Sequence, residues 1–233
     1  MTRALEALAR GAKAILGRAL TDTEQDLFYK YLILLTKWQK SHRLIGSSDP
    51  VWIVEHLFLD SLLFLKVLPS TISTVLDLGS GAGLPGLPIK IVRSDLDITL
   101  AESRRRRASF LLSAVRELVL SRTRVVSNRL EDRASELEER FDAVVMRCAG
   151  DVNELMPLAS KLATRGGIVV AAGPPESRRL SIGDWVVIPG WVALRDSSVS
   201  RPSHFLKAIP ETSGKMWLVE QGPYSTSYVC YRV

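Results

Sequence analysis

The stretch Val75-Leu76-Asp77-Leu78-Gly79-Ser80-Gly81-Ala82-Gly83-Leu84-Pro85-Gly86 decides how the rest of the chain is read. Thr74 to Leu78 is apolar and β-branched at its start, the pattern of a buried strand in a parallel sheet. Gly79, Gly81 and Gly83 follow at alternate positions, and Leu87 to Val92 is apolar enough to open a helix against the sheet. A strand running through glycines into a helix lets the backbone turn tightly and approach a ligand without interference from Cβ atoms. The glycines alone are a weak signal, since many loops need them for purely structural reasons.

Two details sharpen the reading. The dinucleotide fingerprint G-x-G-x-x-G requires its third glycine at position 84, where Leu84 stands. Asp77 instead precedes the first glycine by two residues, and an acid, Glu102, ends the next expected strand, Ile98 to Ala101. S-adenosylmethionine carries an ammonium group and a free ribose diol but no phosphate, so carboxylates beside the loop suit it better than a pyrophosphate cradle. Glu102 is placed to accept both ribose hydroxyls, as the corresponding acid does in dinucleotide folds. Read blandly, Asp77 is a turn-former and Glu102 a charge at a helix start. The cofactor reading is favoured because both carboxylates and the glycines share one strand-end crevice. A nicotinamide-dependent oxidoreductase is the disfavoured rival.

The composition sets the frame. A chain of 233 residues with 46% hydrophobic and 24% charged residues is ordinary for a soluble globular protein. Apolar runs fall short of the roughly 18 residues of a membrane span, and the N-terminal segment has the pattern of an amphipathic helix, not of a secretion signal. Cys148 and Cys230 make no disulfide framework and have no metal-ligand spacing, which points to reduced thiols in a cytoplasmic protein without a metal. The formal charge of +6 is carried mostly by arginine. That excess favours a polyanionic partner, because the guanidinium fork reads phosphate and stacks on bases, although it is also a common route to solubility.

Taken in order, residues 1–69 read as a helical cap. Leu5, Leu8, Ala12 and Ile15 repeat at helical spacing, and Thr21-Asp22-Thr23-Glu24 resembles a capping box before a helix over Asp26 to Lys40. A third helix is expected over Val51 to Val67. From Ser70 the alternation of strand and helix predicts a doubly wound parallel sheet over residues 70–233, packed with the cap as one compact unit. Strands are expected at 124–127, 141–146 and 168–172, with helices at 104–120, 131–140 and 152–163. Beyond Pro174-Pro175, Val186 to Ile188, Trp217 to Val219 and Tyr228 to Tyr231 read as strands completing the sheet antiparallel.

The segment Leu76 to Pro88, with its G-x-G-L-P-G-x-P ending, resembles the cofactor loop of the ribosomal RNA small subunit methyltransferase G family, also called glucose-inhibited division protein B. The likeness extends upstream through Lys37-Trp38, Ser48-Asp49-Pro50 and Leu59-Asp60-Ser61-Leu62. Downstream it runs through Glu102-Ser103, Arg129-Leu130-Glu131 and Phe141-Asp142 to Arg147. It implies a Rossmann-like class I S-adenosylmethionine-dependent methyltransferase that modifies guanine N7 in small-subunit ribosomal RNA. It further implies that Gly79 and Leu84 touch the cofactor, that Leu130 and Glu131 hold its adenine end, and that Arg147 stands near the methyl donor or the substrate. On physical grounds alone, Glu131 is equally a helix-start acid and Arg147 equally the partner of a neighbouring carboxylate.

Departures from the family pattern fall at Gln39, at Arg43-Leu44-Ile45 where the family has Asn-Leu-Thr, at Leu57 where it has a histidine now displaced to His56, and at Ala172-Gly173. They motivate the alternative of a non-catalytic or retargeted S-adenosylmethionine-binding RNA-interaction protein. Arg104 to Arg107 begin a helix, an unfavourable place for cations on dipole grounds. A solvated face is the usual meaning of such a run. Its position next to Glu102 favours phosphate contacts for at least two of the four, with Arg105 and Arg106 the candidates. Trp38, Trp52 and Phe58 are possible stacking partners for RNA, but helix packing is the stronger expectation for each. Guanine N7 has a free lone pair, so transfer to it needs no general base, and the catalytic set is left open.

Overall fold

The structure is a computed structural model and describes residues 1–127, 137–147, 152–173, 216–218 and 227–232. Two long helices, α1 (Thr2–Leu16) and α2 (Asp22–His42), open the chain. The capping box forms as expected: the Thr21 hydroxyl accepts from the Glu24 amide at 3.2 Å and the Glu24 carboxylate from the Thr21 amide at 2.7 Å. Satisfying these two amides starts α2 at Asp22, earlier than its apolar face suggests. The helix ends on Arg43, whose φ of 45° is left-handed. Asparagine fills such a position with less strain than most residues, so the departure at 43 falls on a helix stop. Gln39 secures the same turn, exchanging hydrogen bonds with both backbone groups of Ile45.

The third helix is interrupted. α3 (Pro50–Ile53) passes into a π-helical turn at Val54–Phe58, then α4 (Leu59–Leu62) and a 3-10 turn at Leu63–Lys66. A π turn holds one residue more than an α turn. Beyond it Leu59, Asp60 and Ser61 are all buried.

Among the described residues seven strands follow: β1 (Thr74–Leu78), β2 (Asp97–Ala101), β3 (Thr123–Val126), β4 (Phe141–Arg147), β5 (Ala163–Gly173), β6 (Met216–Leu218) and β7 (Ser227–Arg232). Between them lie α5 (Gly86–Val92), α6 (Arg105–Glu117) and α7 (Val152–Leu162). The sheet order is β3-β2-β1-β4-β5-β7-β6, with β1 to β5 parallel, β7 antiparallel to β5 and β6 antiparallel to β7. β5 begins five residues earlier than its apolar run predicts. Ala163 pairs with Phe141, and the ladder then slips so that Ala143 faces Ile168, with Gly166 at φ +78° in the irregular segment. The strand expected at Val186 to Ile188 and most of the helix expected at 131–140 lie outside the described residues.

Strand side chains alternate between two cores. Val75, Ala143, Val145 and Val170 join α5, α6 and the N-terminal helices in one apolar cluster. Leu76, Val144, Met146, Val169 and Ala171 meet α7 on the other face. The N-terminal helices thus share their core with one face of the sheet. Asp77 and Arg147 have the parity of that face, which turns both toward the helices.

Candidate functional site

The register sets three residues in a row. Leu78 pairs with Ala101 and Asp77 with Val145, so Gly79, Glu102 and Arg147 stand at one level across the carboxyl ends of β1, β2 and β4. Open α/β sheets bind ligands at this edge, where the strand order reverses. The order here reverses at β1.

The loop after β1 is held by its own backbone. Gly79 and Ser80 donate to Ala101 O at 2.9 Å each, and Gly83 and Leu84 donate to Ser80 O at 2.7 and 3.0 Å. Gly79, Gly81 and Gly83 all have positive φ, between 56° and 88°. The Leu84–Pro85 peptide is cis, and Leu84 is buried against the shared core. Gly86 is required for close approach: a Cβ there would lie 2.6 Å from Asp77 Oδ2 and 2.5 Å from a Leu100 methyl.

Glu102 is 6% exposed and does not point into solvent as a helix-start charge would. Its Oε2 accepts from the Gly81 amide at 3.0 Å and its Oε1 from the Arg104 amide at 2.8 Å, while Arg107 Nη1 stands 3.9 Å away. The carboxylate therefore ties the glycine loop to the start of α6. A carboxylate offers about four acceptor sites. Two amides leave capacity for a diol.

Asp77 is fully buried. Oδ2 accepts from the Gly86 amide at 2.9 Å, and Oδ1 has no hydrogen-bond partner. Burial pushes this carboxyl up to about 7; the Gly86 amide and the Ser80 hydroxyl oppose the rise, nearby Glu102 adds to it and Arg147 opposes it. An orphaned acceptor beneath a glycine loop is costly unless a donor or cation comes to it. The cationic amino-acid end and hydroxylated ribose of S-adenosylmethionine fit this donor-poor, acid-lined crevice.

Arg147 takes up the bland option open to it. Its guanidinium lies 3.1 Å from Asp60 Oδ2 and donates to His56 O at 2.5 Å and Leu57 O at 3.3 Å. The π turn thus presents its carbonyls to the tip of β4. Asp60 was not singled out from sequence as a site residue, although a lone acid inside the apolar run Leu57 to Leu65 was the available signal. Leu130 and Glu131 lie outside the described residues.

Arg104, Arg105 and Arg106 are exposed, and the first turn of α6 has no acidic residue to offset them. Trp38 packs edge-on against Phe110 of α6 (ring centroids 5.6 Å apart), laying the end of α2 against α6. Exposed Lys37, Lys40 and Arg43 are thereby carried on the helix beside the arginine run. Of the aromatic residues weighed for stacking, Trp38 and Trp52 are half-buried and only Phe58 is enclosed. Phe58 is fully buried against Tyr31, and Trp52 is tilted over His56 at 5.0 Å. Among the described residues no cluster of three His, Cys, Asp or Glu could hold a metal, and no helix is long and apolar enough to cross a membrane.

The strand order and the glycine-acid crevice define a Rossmann-like class I methyltransferase. Solved structures agree on the fold. A SAM-dependent methyltransferase from Aquifex aeolicus superimposes with a TM-score of 0.51 at 16% identity, covering 85% of this chain and 98% of that one. The O-methyltransferase TomG from Streptomyces achromogenes, solved in complex with SAM, gives 0.51 at 16% identity over 87% and 89%. The model of the family described as rRNA small subunit methyltransferase G matches residues 24–174. The enzyme of that name from Neisseria meningitidis serogroup A is 35% identical over 158 residues, 68% of this chain and 74% of its own length. The chain belongs to the rRNA small subunit methyltransferase G family.

Proposed function

We propose that this chain transfers a methyl group from S-adenosylmethionine to N7 of a guanine in small-subunit ribosomal RNA. The observation that carries the reading is the crevice of a family member in which Glu102 grips the glycine loop and Asp77 Oδ1 has no protein donor. When bound, the cofactor supplies an electrophilic methyl on a sulfonium whose departure leaves a neutral thioether. Glu102 accepts from the ribose diol through its remaining lone pairs, and the loop at Gly79 and Leu84 bounds the other end. Leu130 and Glu131 hold the adenine. Arg147, held by Asp60 and the π turn at the tip of β4, stands near the methyl donor or the substrate.

The chain has little chemistry to perform beyond alignment. The N7 lone pair forms the new bond as the carbon–sulfur bond breaks, and no proton is removed. Well-oriented reactions reach effective molarities of about 10⁵–10⁸ M, so this transfer needs no acid–base pair. In paired A-form RNA N7 lies in a deep, narrow groove, so the target guanine sits in a loop or is splayed out. Arg105 and Arg106, with Lys37, Lys40 and Arg43 on the neighbouring helix, meet the surrounding phosphates.

The experiment is transfer of labelled methyl from S-adenosylmethionine to small subunits from cells lacking the gene, followed by cleavage chemistry specific for N7-methylguanine. Label at one guanine N7 is expected. Binding of the cofactor without transfer, or label on another base atom, contradicts the proposal.

A further inference from the structure

Helix α2 reaches the cofactor loop through one side chain. Tyr31 is fully buried, and its hydroxyl donates to Ala82 O at 2.6 Å, across 51 positions of sequence. The other end of the same peptide plane, the Gly83 N–H, donates to Ser80 O at 2.7 Å. The 82–83 peptide is therefore pinned at both ends, once by the loop itself and once by the helical layer. Glycine at 83 makes this a plane that needs pinning. Its φ is +88°, and a residue without a Cβ takes negative φ as readily, so the plane can turn over at little steric cost. Turned over, it would leave both Ala82 O and the Tyr31 hydroxyl buried without a partner.

The phenol is itself fixed. Its ring stacks on Phe58 with centroids 4.8 Å apart and planes 12° from parallel, and it lies 6.5 Å from Phe110. Phe58 closes the π turn whose carbonyls hold Arg147. Burial pushes the phenol well above its ordinary range, so it remains a donor across the working pH. The loop on β1 and the arginine on β4 are both referenced to one helical scaffold.

We propose that Tyr31 is a positioning residue of the cofactor site, its hydroxyl holding the 82–83 peptide in the orientation that binds the adenosyl ligand. The inference rests on the cofactor reading given above. It makes the N-terminal helices part of the cofactor pocket in addition to any contact they make with RNA.

The test is calorimetric titration of S-adenosylhomocysteine into wild type, Tyr31→Phe and Thr36→Val. Tyr31→Phe keeps the ring and its stacking and deletes only the donor. Thr36→Val deletes a hydroxyl on the same helix that bonds Leu32 O, away from the loop. Tyr31→Phe is expected to weaken binding ~10-fold, as loss of about one hydrogen bond's worth of preorganisation implies. It should raise the KM for S-adenosylmethionine in step while kcat and the KM for RNA stay within about threefold, and it should speed exchange of the Gly83 amide. Thr36→Val is expected to bind as wild type does. Equal affinity in Tyr31→Phe and wild type overturns the inference, and so does an equal loss in both variants, which would make helix stability the cause. Failure of wild type to bind overturns the cofactor reading itself and the inference with it.

Discussion

Asp77 concentrates the electrostatics of the strand-end crevice in one side chain. Its carboxyl lies under the glycine loop with one oxygen bonded to Gly86 and the other unpartnered, and burial raises its pKa to about 7. In the unfolded chain an aspartate titrates near 3.9. Between about pH 4 and 7 the folded protein thus holds a proton that the unfolded chain has lost. Its contribution to stability is greatest below about pH 4, declines as pH rises through 7, and is level beyond. Chemical denaturation of wild type and Asp77→Asn from pH 4.5 to 8.5 isolates this slope from those of other carboxylates. The stability of wild type relative to the variant should fall by up to about 3 kcal/mol over the window. A difference independent of pH would show that Asp77 is ionised throughout.

At the scale of elements, the interrupted third helix and the tip of β4 act as one unit. Arg147 and Asp60 are both nearly buried, with side chains 12% and 8% exposed. Removing one member of such a pair strands the other charge, at about 3–5 kcal/mol, whereas replacing both by apolar groups is often near neutral. Asp60→Leu alone should therefore destabilise strongly, and adding Arg147→Met should restore much of the loss, as equilibrium unfolding of the double-mutant cycle would show. Additivity within about 0.5 kcal/mol would mean that the two do not form a coupled pair.

Elements with local causes were legible in the chain. The capping box, the strand–glycine–helix unit and the acid ending β2 each follow from a few adjacent residues, and each is present. Features with distant causes were not. Nothing in Val54 to Phe58 announces a π turn, because its carbonyls answer to Arg147, about 90 residues on. The early start of β5 depends on Phe141, and Tyr31 reads as one more apolar position until the loop is folded against it. That the loop at 79–86 and Glu102 meet at one strand-end edge was legible from sequence, while the hydrogen bond between them needed the fold.

At the scale of the whole molecule, a parallel sheet, a shared core and a basic flank converge on one edge. The N-terminal helices pack into the same apolar cluster as β1, α5 and α6, and from that scaffold Tyr31 and Asp60 reach opposite sides of the crevice. The net charge of +6 is locally expressed in the arginines that open α6 and the lysines on the end of α2. The account stands on a sulfonium nucleoside lying across the strand tips with its ribose on Glu102. Titrating S-adenosylmethionine into wild type and Glu102→Ala by calorimetry tests this directly. One site per chain is predicted in wild type, with affinity at least ~10-fold weaker in the variant, as loss of charge-assisted hydrogen bonds implies. Equal affinities, or no binding by wild type, would contradict it.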